Sequence, residues 1–200
     1  MKRSTALSRL RDVVEALDRA ATWPETTVTA AFVFGDLLDA PSGLERVEVA
    51  LVVDESPESV PWLSRPSHLE ALADSLRFTK LPMTWRWRPA EWPVWNHAIT
   101  SALRIWTTDG GSDPAALNAL VEGNVGETLL EAPTDTRALL SELRTERDVG
   151  RQHLAFVTDS FHDREWRRIH RGFGVYPEDH LWSAVAGFLD LDDAIRRLES

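Results

Sequence analysis

Two short runs constrain this chain most. Residues 28–34 are apolar, β-branched and aromatic and stop at Gly35, and residues 46–54 contain the unbroken apolar stretch Val49-Ala50-Leu51-Val52-Val53. Such runs predict strands, and the second reads as buried on both faces. A sheet of that kind needs helices over it. Leu7, Leu10, Val13, Val14, Leu17 and Ala21 recur at helical spacing, with Ser4 as the expected N-cap and Trp23-Pro24 as the stop.

The remaining elements follow from punctuation and period. A loop through Pro41-Ser42-Gly43 joins the two strands, and Pro57, Pro61 and Pro66 interrupt the chain before Leu69, Leu72 and Leu76 mark a short helix. Residues 83–88 alternate, placing Trp85 and Trp87 on one face of a third strand and Arg86 and Arg88 on the other, and Pro89 ends it. Residues 92–103 are expected as helix and 104–107 as a short strand. Asp109-Gly110-Gly111 is then a turn before a helix opening at Asp113-Pro114. Beyond Pro133 the pattern is helical only, with one or two helices over 134–171 and one or two more over 177–198, separated by Gly172-Phe173-Gly174-Val175-Tyr176. The expected architecture is α+β, with a mixed sheet and flanking helices over residues 1–132 and an α-helical C-terminal region over 133–200.

Composition limits what this fold can do. The 200 residues suit one generous domain, and 43% hydrophobic content with nine Trp and seven Phe supplies a core. A net charge of −10 gives no global attraction for nucleic acid or an anionic membrane. The absence of Cys excludes disulfides, thiol catalysis and Cys-based metal sites. No apolar run approaches the ~18–20 residues of a spanning helix, and Met1-Lys2-Arg3-Ser4 leads into an amphipathic pattern rather than a signal peptide, so the cytoplasm is expected. Twenty of the 22 basic residues are Arg, a bias of high-GC bacterial coding that carries no mechanism.

One constellation carries chemistry. The strand ending in Phe34-Gly35-Asp36, then eleven residues, then Glu48-Val49-Ala50-Leu51-Val52-Val53 resembles the signature of the nucleotidyltransferase superfamily related to DNA polymerase β. That resemblance implies a Gly-Ser turn closing on nucleotide phosphates and a following strand with two carboxylates one residue apart. Carboxylates at i and i+2 share a strand face and can hold divalent ions around an in-line phosphoryl transfer. The chain departs from the pattern at three places. Asp36 replaces the turn Ser, Ala50 replaces the second acid, and the third strand, Thr84-Trp85-Arg86-Trp87-Arg88, has no acid at all. Only Glu48 is left of three carboxylates, which does not make a two-ion site. The resemblance spans roughly residues 5–107 and implies the fold without its catalytic centre. Gly35, Asp36, Glu48 and Ala50 are then vestiges of a nucleotide site.

Weaker signals read as scaffold. Arg147 to His153 and Arg164 to His170 match the Arg-gap-His spacing of HEPN ribonucleases, but an Arg-rich chain with six His produces such matches by chance. His153, His162, His170 and His180 lack the i, i+4 pairing of a metal-binding helix and are expected on a solvated face. Arg164, Arg167, Arg168 and Arg171 are expected to pair with acids such as Asp159, Asp163, Glu178 and Asp179. The five Trp between 85 and 106 are expected mostly in the core.

The sequence thus points to a non-catalytic nucleotidyltransferase-like protein that binds a protein partner or a nucleotide, with no cofactor and no metal. Arg86 and Arg88 are candidates for a metal-free anion pocket if they face the cleft, because guanidinium binds phosphate bidentately. The alternatives are an active metal-dependent nucleotidyltransferase that pairs Asp36 or Asp54 with Glu48, and an unrelated α/β scaffold that forms homo-oligomers.

Overall fold

The computed structural model describes the chain apart from residues 24, 40–42, 77, 79–81 and 173, so Pro24, Pro41, Ser42 and Phe173, named above, lie outside the described residues. Helix α1 (Arg3–Ala20) presents Leu10, Val13, Val14 and Leu17 on one buried face. Strands β1 (Val28–Phe34) and β2 (Val47–Val53) follow, then helix α2 (Ser67–Ser75) and strand β3 (Met83–Pro89). Strands β4 (Ser101–Thr107) and β5 (Gly111–Ser112), helix α3 (Pro114–Glu122) and strand β6 (Leu129–Glu131) complete the first part. Helices α4 (Thr136–Ser160), α5 (Arg164–Ile169) and α6 (Pro177–Glu199) end the chain.

The fold is α+β with an open mixed sheet in the order β3-β2-β1-β4-β5, β6 also pairing with β4. Strands β1 and β2 are adjacent and antiparallel, with Phe34 opposite Glu48, and β2 and β3 are parallel, with Ala50 opposite Arg86. Both faces of the sheet are covered, as the apolar run in β2 requires. One face carries Leu10, Leu17, Leu69 and Leu120 from the first three helices against Val33, Val49, Leu51 and Ile105. On the other, Leu143 of α4 and Leu191, Ala194 and Ile195 of α6 pack on Phe32, Phe34, Ala50 and Ala102. The C-terminal helices are thus the third layer of the molecule. They run antiparallel, with Arg144 paired to Glu199 at 2.6 Å and Gly150 touching Leu191 nearer the other end.

Between β2 and α2 the chain changes faces. Val60 belongs to the core under α1, Trp62 to the core under α6 and Leu69 again to the core under α1, and Leu63, Ser64 and Arg65 line a cleft together with Met83 to Trp87 of the edge strand β3. The turn at Leu63 takes a left-handed φ of 58°. Gly187 of α6 lies directly on this crossing, where a Cβ would overlap the Trp62 carbonyl.

Two expected elements are corrected. Ser4 does not cap α1; Lys2 holds the N-cap position with no side-chain bond. Long-range contacts set that start instead, since the Met1 ammonium donates to the Leu44 carbonyl and Arg3 donates to the carbonyls of Leu37 (2.8 Å) and Leu120 (2.6 Å). Residues 92–103 are not a helix; an irregular stretch runs into β4 at Ser101. Pro93 offers no amide proton, and the Asn96 side chain accepts from the amides of Ala98 (2.9 Å) and Ile99 (3.1 Å), closing a turn that competes with helix. By contrast, Asp113 caps α3 through the Ala116 amide with Pro114 at N1, as expected.

Candidate functional site

The site is built where β1 ends, β2 begins and β3 runs beside them. Gly35 has φ of 72°, and a Cβ there would overlap the Glu48 carboxylate, so this turn accepts only glycine while Glu48 stays in place. Register puts Phe34 beside Glu48, Glu48 beside Thr84, Ala50 beside Arg86 and Val52 beside Arg88. Residues paired in register share a face. Arg86 and Arg88 therefore lie on the Glu48 and Ala50 side, and Trp87 lies in the opposite core. Trp85 is on that opposite side too, stacked on Phe78 at 5.3 Å.

Asp36 is exposed and Glu48 half-buried. Burial raises the Glu48 pKa, Arg46 and Arg86 work against that, and Asp36 adds to it. Ala50 is fully buried, in the core that α4 and α6 close. Asp54, beyond the far end of β2, is six residues from Glu48, about 20 Å along a strand, so these two acids do not converge on one ion. Among the described residues no group of three or more His, Asp or Glu could hold a metal ion.

The two arginines part ways. Arg88 is 1% exposed and clamps the buried Glu146 of α4, donating from Nη1 (2.8 Å) and Nη2 (2.7 Å), with a further bond from Nη2 to the Pro93 carbonyl. Asn96 Nδ2 donates to the same carboxylate at 3.3 Å. Arg88 is therefore corrected as an anion-binding candidate: its carboxylate is already inside the protein. Arg86 makes no salt bridge among the described residues, and its hydrogen bond goes to the neighbouring Trp85 carbonyl at 3.0 Å. Its guanidinium carbon lies 5.8 Å from the centre of the Trp62 ring. Burial lowers its pKa, opposed by the charges of Glu48 and Asp190. Arg86 opens into a cleft of about 350 Å³ along the β3 edge, with Ser64 and Arg65 on one wall and Trp182 and Ser183 of α6 on another.

Sequence reasoning missed the polar group behind Arg86. Asp190 Oδ2 accepts from Trp62 Nε1 and from His97 Nε2, both at 2.8 Å. The His97 bond is the main cause holding the Asp190 carboxyl below the usual range. His97 comes from the segment expected as helix and Asp190 from the tail, 93 residues apart, so no local spacing signals them.

His153, His170 and His180 meet around Trp166 at the joint of α4, α5 and α6, whereas exposed His162 stands edge-on to Phe161. Arg167 pairs with Glu178 and Arg168 with Glu165, each at 2.6 Å on the surface. Asp163 and Asp179 cap helices instead of pairing, accepting from the amides of Trp166 and Tyr176. Trp87 and Trp106 are core residues, while Trp85, Trp92 and Trp95 are half-buried. Among the described residues no helix is long and apolar enough to cross a membrane.

A family model described as a domain of unknown function (DUF7711) matches residues 1–197. No curated protein and no solved structure matches the chain.

Proposed function

Because the chain belongs to the DUF7711 family, a domain of unknown function, its activity must be read from its own site, and we propose that it is a non-catalytic, nucleotidyltransferase-like binding protein that takes an anionic ligand, a nucleotide in the first instance, at Arg86 without a metal ion. The carrying observation is the contrast between Ala50 and Arg86, neighbours in register. Where the resembled family has its second carboxylate, Ala50 is sealed under Leu143, Leu191 and Ile195. Removing a metal carboxylate removes charge stabilisation that binding alone does not replace. Beside it, Arg86 keeps an open cleft and a guanidinium that makes no salt bridge among the described residues, which suits phosphate or carboxylate. The antiparallel β1–β2 pair that brings Gly35 to Glu48 supports the family resemblance.

A protein partner is the second reading, supported by Trp182, which is 74% exposed on the cleft wall. Incubation with each of the four NTPs and Mg²⁺ or Mn²⁺ tests the non-catalytic part. The expected result is no nucleotidyl transfer to protein, nucleic acid or small acceptors. Transfer that Glu48→Gln abolishes would overturn it.

A further inference from the structure

A second cavity, of about 420 Å³, lies at the joint of α4, α5 and α6 and is bordered by the loop before α2. His153, His170 and His180 line it, with Trp166 between them. Trp166 stacks on His170 at 4.2 Å, and His170 meets His180 edge-on at 4.9 Å. His170 Nδ1 lies 2.9 Å from the Trp166 carbonyl, which only accepts, so Nδ1 is a donor there.

Several polar atoms on the lining residues lack a partner. Six buried side-chain atoms among the described residues lack a hydrogen-bond partner, and three belong to residues that line this cavity: Ser64 Oγ, Ser67 Oγ and Trp166 Nε1. Ser64 is 8% and Trp166 6% exposed. An indole N–H can only donate, and a buried donor without a partner costs about 1–3 kcal/mol. The acids nearby are engaged elsewhere. Glu70 is held by Arg65 through two bonds of 3.0 and 2.8 Å, and Asp179 accepts from the Tyr176 amide at 2.8 Å. Glu58 stands exposed at the rim, and His68 there is bonded to Glu55.

We propose that this histidine-lined cavity, which shares Ser64 and Arg65 with the Arg86 cleft but not Arg86 itself, is an oxyanion site of its own that binds its anion together with a proton taken up from solvent by an imidazole. The ligand's oxygens supply the acceptors that Ser64, Ser67 and Trp166 lack. In the free protein, burial and the neighbouring His170 keep His180 neutral down to about 4, with Arg65 and His153 acting in the same sense and Asp179 against it. Burial, with His170, also lowers the His153 pKa. An anion among these rings reverses the balance, because an opposite charge favours the protonated imidazole. The charged and titratable groups around His180 are then His153 from α4, His170 and Arg171 just after α5, Arg65 with Glu70 around α2, and Asp179 on its own helix.

Sulfate is the probe, since its charge stays constant across the range that matters. Histidine ring resonances of the full chain, followed from pH 4 to 8 in sodium sulfate and in sodium chloride of equal ionic strength, report each imidazole. The expected result is a His180 midpoint raised in sulfate by about one pH unit or more, and sulfate affinity rising up to about tenfold per pH unit of acidification in that window. Arg86→Ala should leave both unchanged, whereas Trp166→Phe and, independently, His153→Gln should each weaken sulfate binding about fivefold or more. Identical His180 titrations in the two salts would overturn the proposal. So would loss of the sulfate effect in Arg86→Ala, which would place the anion in the other cleft.

Discussion

Arg86 and Arg88 differ by two positions on one strand and share one face, yet only one is available to a ligand. Glu146 reaches Arg88 from α4 with both carboxylate oxygens, and no carboxylate lies within salt-bridge distance of Arg86 among the described residues. The buried pair should respond asymmetrically to mutation. Glu146→Ala leaves a guanidinium unpaired in the interior and is expected to cost about 3–5 kcal/mol in urea unfolding, whereas replacing both partners by apolar residues, Arg88→Met with Glu146→Leu, should cost much less. Equal losses would show that packing, not charge, holds α4 there. At the turn, Gly35→Ala introduces both an unfavourable φ and an overlap with Glu48. It should destabilise the fold, and more than Asp36→Ala, because Asp36 is exposed.

Among the elements, β1, β2 and β3 were legible because period and burial speak together, whereas the short β5 (Gly111–Ser112) and β6 (Leu129–Glu131) carry too few residues to show a period and were not expected as strands. The alternation of Trp and Arg in β3 and the apolar run in β2 both predicted what the sheet does with them. Residues 92–103 were not legible as β-entry, since several apolar residues at near-helical spacing outweighed Pro93 and Asn96. The polar layer was invisible for a different reason. Trp62 with Asp190 and Arg88 with Glu146 lie 128 and 58 residues apart, and no sequence period encodes such a meeting. Helix α6 rests on Trp62 at Gly187, where a new Cβ meets rigid backbone rather than a movable side chain. Gly187→Ala should therefore destabilise by about 1–3 kcal/mol in chemical denaturation. No measurable change would mean that α6 docks elsewhere.

At the scale of the whole molecule, four buried or half-buried acid–base groups make stability depend on pH, three in one direction and one against it. His180, at about 4 in the folded chain, and His153, also lowered, bind fewer protons folded than unfolded. Stability should therefore fall as pH drops from about 6.5 toward 4. Asp190, lowered by its His97 bond, adds a loss as pH falls through its own folded value. Glu48, raised by burial, acts in the opposite direction. Thermal unfolding between pH 7.5 and 4.5 should show a falling midpoint, with a shallower fall in His180→Phe; an unchanged slope in that variant would remove the histidine joint from the account.

The C-terminal helices also decide what the sheet can do, since they close the face that carries Ala50 and leave Arg86 a cleft at the β3 edge. The most direct test of that account is a calorimetric titration with ATP in EDTA, comparing the wild-type chain with Arg86→Ala. The account predicts saturable binding without any divalent ion, weakened about tenfold or more by loss of the guanidinium. Equal binding by the two proteins, or none by the wild type, would contradict it.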